Sequence, residues 1–202
     1  MKTKWRANST HPDDMSRYRE WLKVRNCRWP ISITIHLTNR CNHDCKFCWF
    51  DRNDSRVDVQ KTIAAISFLI DRGLQEVIVS GGGEPTLHPE LELLLEFLAD
   101  RSDIHRRLYS NGTKLGKLTT ICKAFDYVRV SVDAFNPESH STIHGTSRTA
   151  FGQIIDALRD LSSSNVTVGL SCVLIPESDQ GLSDLAELSE MNPNFFSCSK
   201  KG

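Results

Sequence analysis

From Ile31 onward, segments with alternating apolar and polar residues are interleaved with segments of helical pattern. In "ISITIHL" (31–37), Ile31, Ile33, Ile35 and Leu37 alternate with Ser32, Thr34 and His36. "YVRVSVD" (127–133) sets Val128, Val130 and Val132 against Arg129, Ser131 and Asp133. "VTVGLSCVLI" (166–175) sets Val166, Val168, Leu170, Cys172 and Leu174 against Thr167, Gly169, Ser171 and Val173. A period of two places each set on one face of a strand. "EVIVS" (76–80) and "IHRRLYS" (104–110) read as further strands, and "NFFSCS" (194–199) gives a weaker sixth. Helices are expected near 58–72, 89–101, 114–124, 148–163 and 180–191. "TIAAISFLIDRG" stops at Gly73 and "PELELLLEFLADR" starts with Pro89, as helix ends and starts do.

The βαβα order implies a parallel sheet with right-handed crossovers. Parallel strands covered on both faces read as nearly continuous apolar runs, and these do not. The apolar set is therefore expected to pack on the helices and the polar set to line a curved, wet interior. A half-solvated antiparallel sheet also gives alternation, but the intervening helices argue against it. The expected fold is α/β: a partial, TIM-barrel-like (β/α) barrel of parallel strands, truncated, with five clear βα units and a weaker sixth. Residues 1–30, including "SRYREWLKVR", are expected as a leader or helical cap, 31–191 as the core and 192–202 as a tail.

With 202 residues, there is chain for one core of ordinary size. The 25 basic and 25 acidic residues cancel, so no global basic field points to nucleic acid or a membrane surface. The apolar runs fall short of a membrane span, and the N-terminus lacks the apolar core of a secretory signal. The expectation is a cytoplasmic protein. The seven cysteines agree: the number is odd, and three are clustered, as in metal sites rather than disulfide frameworks. Cys27, Cys122, Cys172 and Cys198 are scattered and read as packed thiols.

Each unusual loop directly follows a strand. "TNRCNHDCKFC" follows the first, "GGGEP" the second and "SNGT" the third, while "SVDAFNP" closes the fourth. In parallel α/β folds the C-terminal strand ends form one rim where active sites collect. Thiolates are soft ligands for zinc or iron–sulfur clusters. His43 lies inside the cysteine group, so a zinc site of Cys41, His43, Cys45 and Cys48 is one reading. The other is a [4Fe-4S] cluster held by three thiolates, with one iron left for a substrate or cofactor.

Cys41-x3-Cys45-x2-Cys48, with Phe47 before the last cysteine, resembles the signature of the radical S-adenosylmethionine (SAM) superfamily. "GGGEP" (81–85) is similar to that family's glycine-glycine-glutamate motif, and "SVDA" (131–134) to its fourth-strand ribose-binding segment. The resemblance spans roughly residues 31 to 175, and the combination is more specific than the cysteines alone. It implies that Cys41, Cys45 and Cys48 hold a [4Fe-4S] cluster whose open iron chelates SAM. It places the backbone at Gly82, Gly83 and Glu84 by the methionine amino group, Ser131 and Asp133 by the ribose, and Phe47 near the cluster and adenine. The implied activity is reductive cleavage of SAM to a 5′-deoxyadenosyl radical, which abstracts hydrogen from an unidentified substrate, a peptide or a small metabolite. A flavodoxin or ferredoxin-type electron donor is implied with it. "HSTIHGTSRTAFGQIIDALRDL" (140–161) resembles the fourth-helix region of members that modify peptides or carry C-terminal auxiliary-cluster domains. The alternatives are a zinc-binding structural or interaction module and a truncated, inactive SAM-binding relative.

By strand parity His36, Glu76, Arg129 and Thr167 are expected in the lumen. Arg129 is expected either to receive an anionic substrate group or to pair with Glu76. Ser110 and Asn111 are further candidates on the rim.

Overall fold

The computed structural model describes residues 28–117, 120–175, 180 and 197–199. The leader as far as residue 27, the helix expected at 180–191 beyond its first residue, and the tail apart from 197–199 lie outside the described residues.

Six parallel strands form one sheet in the order β1-β2-β3-β4-β5-β6. They are β1 (Ser32–His36), β2 (Glu76–Ser80), β3 (His105–Ser110), β4 (Tyr127–Ser131), β5 (Thr167–Val173) and β6 (Ser197–Ser199). The weak sixth strand is thus present, in register with β5 through Cys172 and Cys198. Each strand pairs with the next in sequence, so the winding never reverses. A doubly wound sheet reverses at its switch point. Strictly sequential order is the arrangement of a (β/α) barrel, here with β1 and β6 at its two ends.

The helices are α1 (Val59–Ile70), α2 (Leu91–Ala99), α3 (Ile121–Ala124), α4 (Pro137–His144) and α5 (Thr149–Ser162). The Asp58 side chain accepts from the Lys61 amide and caps α1. In α2 the spacing of Leu91, Leu94, Leu95 and Leu98 lays all four on one buried face. Burial of each contributes on the order of 2 kcal/mol. These leucines, with Ile154, Leu158 and Leu161 of α5, pack on Val77, Val79, Leu108, Val128, Val130, Val168 and Leu170 of the sheet. The apolar parity set therefore faces the helices, as the alternation predicts.

Two helical expectations change. Residues 114–124 do not form one helix but a 3-10 turn (Leu115–Lys117) followed by α3. Gly112 has φ +86, and Gly116 and the β-branched Thr120 are weak helix formers. Ahead of α5, α4 is a separate helix, capped by the Asn136 side chain on the Ser139 amide, with Pro137 in its first turn. It ends at Gly145 in the left-handed conformation, φ +55.

The polar parity set lines the concave face. At the N-terminal ends of the strands, Arg107 pairs with Glu76 at 2.7 Å, and Ser32 donates to Glu76 at 2.6 Å. This corrects the expected Arg129–Glu76 pair. The Arg129 guanidinium instead lies 3.5 Å over the Tyr109 ring. The reason is strand order: Arg107 is on the strand next to Glu76, whereas Arg129 is two strands away.

Candidate active site

The cysteine loop leaves β1 and is held from several sides by main chain. The Gly83 amide donates to the Thr38 carbonyl at 2.9 Å, and the Glu84 amide to the Arg40 carbonyl at 2.7 Å. This approach requires glycine: a Cβ on Gly83 would collide with the Arg40 carbonyl. On the other side, the Asp44 amide donates to the His144 carbonyl at 2.7 Å and the Lys46 amide to the Ile143 carbonyl at 3.0 Å. The C-terminal end of α4 is thus a seat for the loop. Asn42 joins the third rim loop by donating to Thr113 at 2.7 Å and accepting from Asn111 at 2.8 Å.

Cys41 and Cys45 are half-buried, Cys48 is exposed, and none is bridged. Burial raises the Cys41 thiol, and nearby Glu84 and Cys48 add to this. Burial pushes Cys45 up to about 12, reinforced by the charges of Cys41, Asp133 and Cys48. Arg52, ion-paired to Asp44, opposes both shifts. Three unbridged thiols close enough to influence one another electrostatically, on one loop and with no fourth cysteine beside them among the described residues, are a donor set that fits a [4Fe-4S] cluster with one iron left open.

Glu84 is buried, and its carboxylate is largely engaged. Oε1 accepts from the Thr86 amide and hydroxyl and from Ser110, while Oε2 accepts from the Asn111 amide at 2.7 Å. One acceptor position remains on Oε2. Burial raises its pKa, against the lowering by these hydrogen bonds.

Past the end of β4, Asp133 is 2% exposed. Its Oδ1 accepts from the Val173 amide at 2.6 Å, and its Oδ2 lies 3.3 Å from His144 Nε2. Gln180 donates to the Asp133 and Val173 carbonyls and ties the same corner together. Ser131 stays on the concave face, paired in register with Ser171. Phe47 is half-buried, its ring 5.8 Å edge-on to His144. Exposed His36 meets Phe50 edge-on at 5.6 Å. Thr167 opens β5 opposite Tyr127, at the other end of the lumen from the cysteines.

The sequence reading missed His140 and His144. His144 Nδ1 lies 3.1 Å from Cys45 Sγ, and the rings of His43, His140 and His144 are mutually in contact and buried. Burial, with the charge of His144, lowers His43 to about 4; burial and the two neighbouring histidines lower His140 to about 3. A signal existed: "NPESHSTIHG" carries an N-cap, a first-turn proline and a closing glycine, and places His140 and His144 four residues apart on one helical face.

Against known proteins, the model of the Radical SAM superfamily matches residues 35–189. The GTP 3′,8-cyclase of Aliarcobacter butzleri is 27% identical over 70% of this chain and 46% of its own length. The S-adenosylmethionine-dependent nucleotide dehydratase of Selenomonas ruminantium is 32% identical over 53% of this chain and 40% of its own. The chain thus spans about half the length, or less, of these relatives. In fold it resembles Streptococcus suis SuiB bound to precursor peptide SuiA, with a TM-score of 0.74 at 15% identity, over 100% of this chain and 47% of SuiB. Among the described residues no helix is long and apolar enough to cross a membrane. The family match, the sequential parallel sheet and the three-thiol loop on its rim agree: the chain belongs to the radical SAM superfamily.

Proposed function

We propose that residues 31–191 form the catalytic core of a cytoplasmic radical SAM enzyme. The observation that carries this reading is the cysteine loop: three unbridged thiols, with the Gly83 and Glu84 amides bonded to its base and the end of α4 seated beneath it. In this reading Cys41, Cys45 and Cys48 hold a [4Fe-4S] cluster. With SAM bound, that cluster would supply one-electron reductive cleavage of SAM and, through it, radical hydrogen abstraction from a substrate. A flavodoxin or ferredoxin-type protein supplies the electron.

The chain's own residues then bind, orient and shield. The backbone at Gly82 and Gly83 and the remaining acceptor position of Glu84 Oε2 receive the methionine amino group. Ser131 offers its hydroxyl to the ribose, while Asp133 fixes the same corner through Val173. Phe47 covers the cluster side. Arg129, held over Tyr109 with no hydrogen-bond partner for its Nε among the described residues, receives an anionic group of the substrate. The nucleotides in the names of two relatives are anions of this kind.

The test is anaerobic loading with iron and sulfide, chemical reduction and measurement of 5′-deoxyadenosine. Wild type produces it, and Cys41→Ala, Cys45→Ala and Cys48→Ala each fall to background. Wild type that takes up no iron, or cleaves no SAM, overturns the reading.

A further inference from the structure

We infer that His43, Cys45 and His144 form an alternative metal site, for a single zinc-class divalent ion, that shares Cys45 with the cysteine loop's own site. Their ligand atoms, two imidazole nitrogens and one thiol sulfur, all lie within 4.8 Å of one another. Thiolate and imidazole together suit zinc. Cys41 and Cys48 are not part of this group.

Two independent features make this a built site. First, His43 is 3% exposed and neither ring nitrogen has a hydrogen-bond partner among the described residues. Buried ring nitrogens without partners are unfavourable, and a metal ligand is one resolution of that. Second, His144 is oriented from behind. Its Nδ1 lies 3.1 Å from Cys45 Sγ, while its Nε2 lies 3.3 Å from Asp133 Oδ2 without making a hydrogen bond to it. A carboxylate beside the far nitrogen of a histidine, with the near nitrogen turned to a thiol, is the grouping from which a carboxylate–histidine–metal arrangement is made. Asp133 is itself pinned by the Val173 amide, and the His140 ring stacks on His144 at 4.2 Å, so the ligand plane is set before any ion arrives.

Binding proceeds by ligand exchange. The Cys45 thiol releases its proton to solvent, its sulfur bonds the ion, and the two imidazoles displace metal-bound water. Three protein ligands leave a fourth position for water. Cys45 cannot serve this ion and an iron–sulfur cluster together. That competition, though not the site itself, rests on the function proposed above: the zinc-loaded chain is the form that does not assemble a cluster.

The experiment titrates metal-free, reduced full-length chain with Co2+ and records its optical absorption. The expected result is one equivalent bound tetrahedrally, with charge transfer from a single thiolate, reversed by Zn2+. Cys48→Ala keeps this spectrum while losing iron–sulfide loading. His43→Ala and His144→Ala each weaken binding by more than about tenfold, and Asp133→Asn by about tenfold. His144→Gln serves as a second variant, with circular dichroism confirming its fold. The wild-type spectrum is decisive without any variant. Charge transfer from three thiolates, or no cobalt uptake, overturns the site. If wild type takes up no iron but keeps the one-thiolate cobalt spectrum, the cluster reading fails and the site stands.

Discussion

Both ends of the barrel engage their carboxylates, but the rim also buries histidine rings that have no partners among the described residues. At the floor, where the strands begin, charges find partners: Glu76 holds Arg107 and Ser32, and Asp126 takes Nε and a terminal nitrogen of Arg106 at 3.0 and 2.8 Å. At the rim, His43 and His140 are buried with both ring nitrogens partnerless among the described residues. Satisfied polar groups fix a structure, whereas orphaned ones are retained where something else is to bind. The contrast assigns stability to the floor and chemistry to the rim.

The largest effect is expected from breaking the floor. Arg107→Ala leaves Glu76 buried without its ion partner, which costs roughly 3–5 kcal/mol. At this size the thermal midpoint falls by about 10 °C. Cobalt uptake at the rim, measured below that midpoint, stays at one equivalent. Loss of metal uptake with the fold intact would erase the distinction between the two ends.

Acid separates the ends next. His43 and His140 titrate near 4 and 3 when folded, chiefly through burial, and near 6.5 when unfolded. Between those values the unfolded chain binds more protons, so stability rises with pH and is lost as pH falls below about 6.5. From pH 7 to pH 5 the metal-free chain loses about 2 kcal/mol per histidine, read as a lower urea midpoint. His140→Phe flattens that slope. Asp126 behaves differently: although burial acts to raise it, hydrogen bonds from His105 and Arg106 hold it well below the usual carboxylate range. Its contribution therefore persists through the whole window in which the rim weakens.

Much of this division was legible in the sequence. Alternation in β1, β4 and β5 told which face is wet, and the post-strand motifs told which end is the rim. The partner of Glu76 was not legible, because strand adjacency in the sheet decides it and the sequence pattern of one strand does not carry adjacency. The helix bearing His140 and His144 was signalled by "NPESHSTIHG". Its seat under Cys45 was not, since the contact bridges 99 residues and depends on how the chain returns to the rim.

A smaller change probes the loop contact. Gly83→Ala drives a Cβ into the Arg40 carbonyl, and parting the two loops costs roughly 1–3 kcal/mol. The expected signature is lower iron uptake with little change in the circular dichroism of the sheet. An unchanged iron content would show that the loops need not touch to present the thiols.

The smallest change tests whether the rim depends on α4. Asn136→Ala removes the cap on the Ser139 amide and costs about 1 kcal/mol. If α4 is the seat of the cysteine loop, this loss reappears at the Asp44 and Lys46 amides, which donate to the last carbonyls of α4. Their hydrogen exchange quickens about fivefold, the factor that 1 kcal/mol of easier opening gives. The Arg106 amide, bonded to Asp126 at the floor, keeps its rate. Equal quickening at both ends would mean that the cap supports the whole domain. Quickening at the loop alone places the control of the thiols in a helix that contributes no cysteine to them.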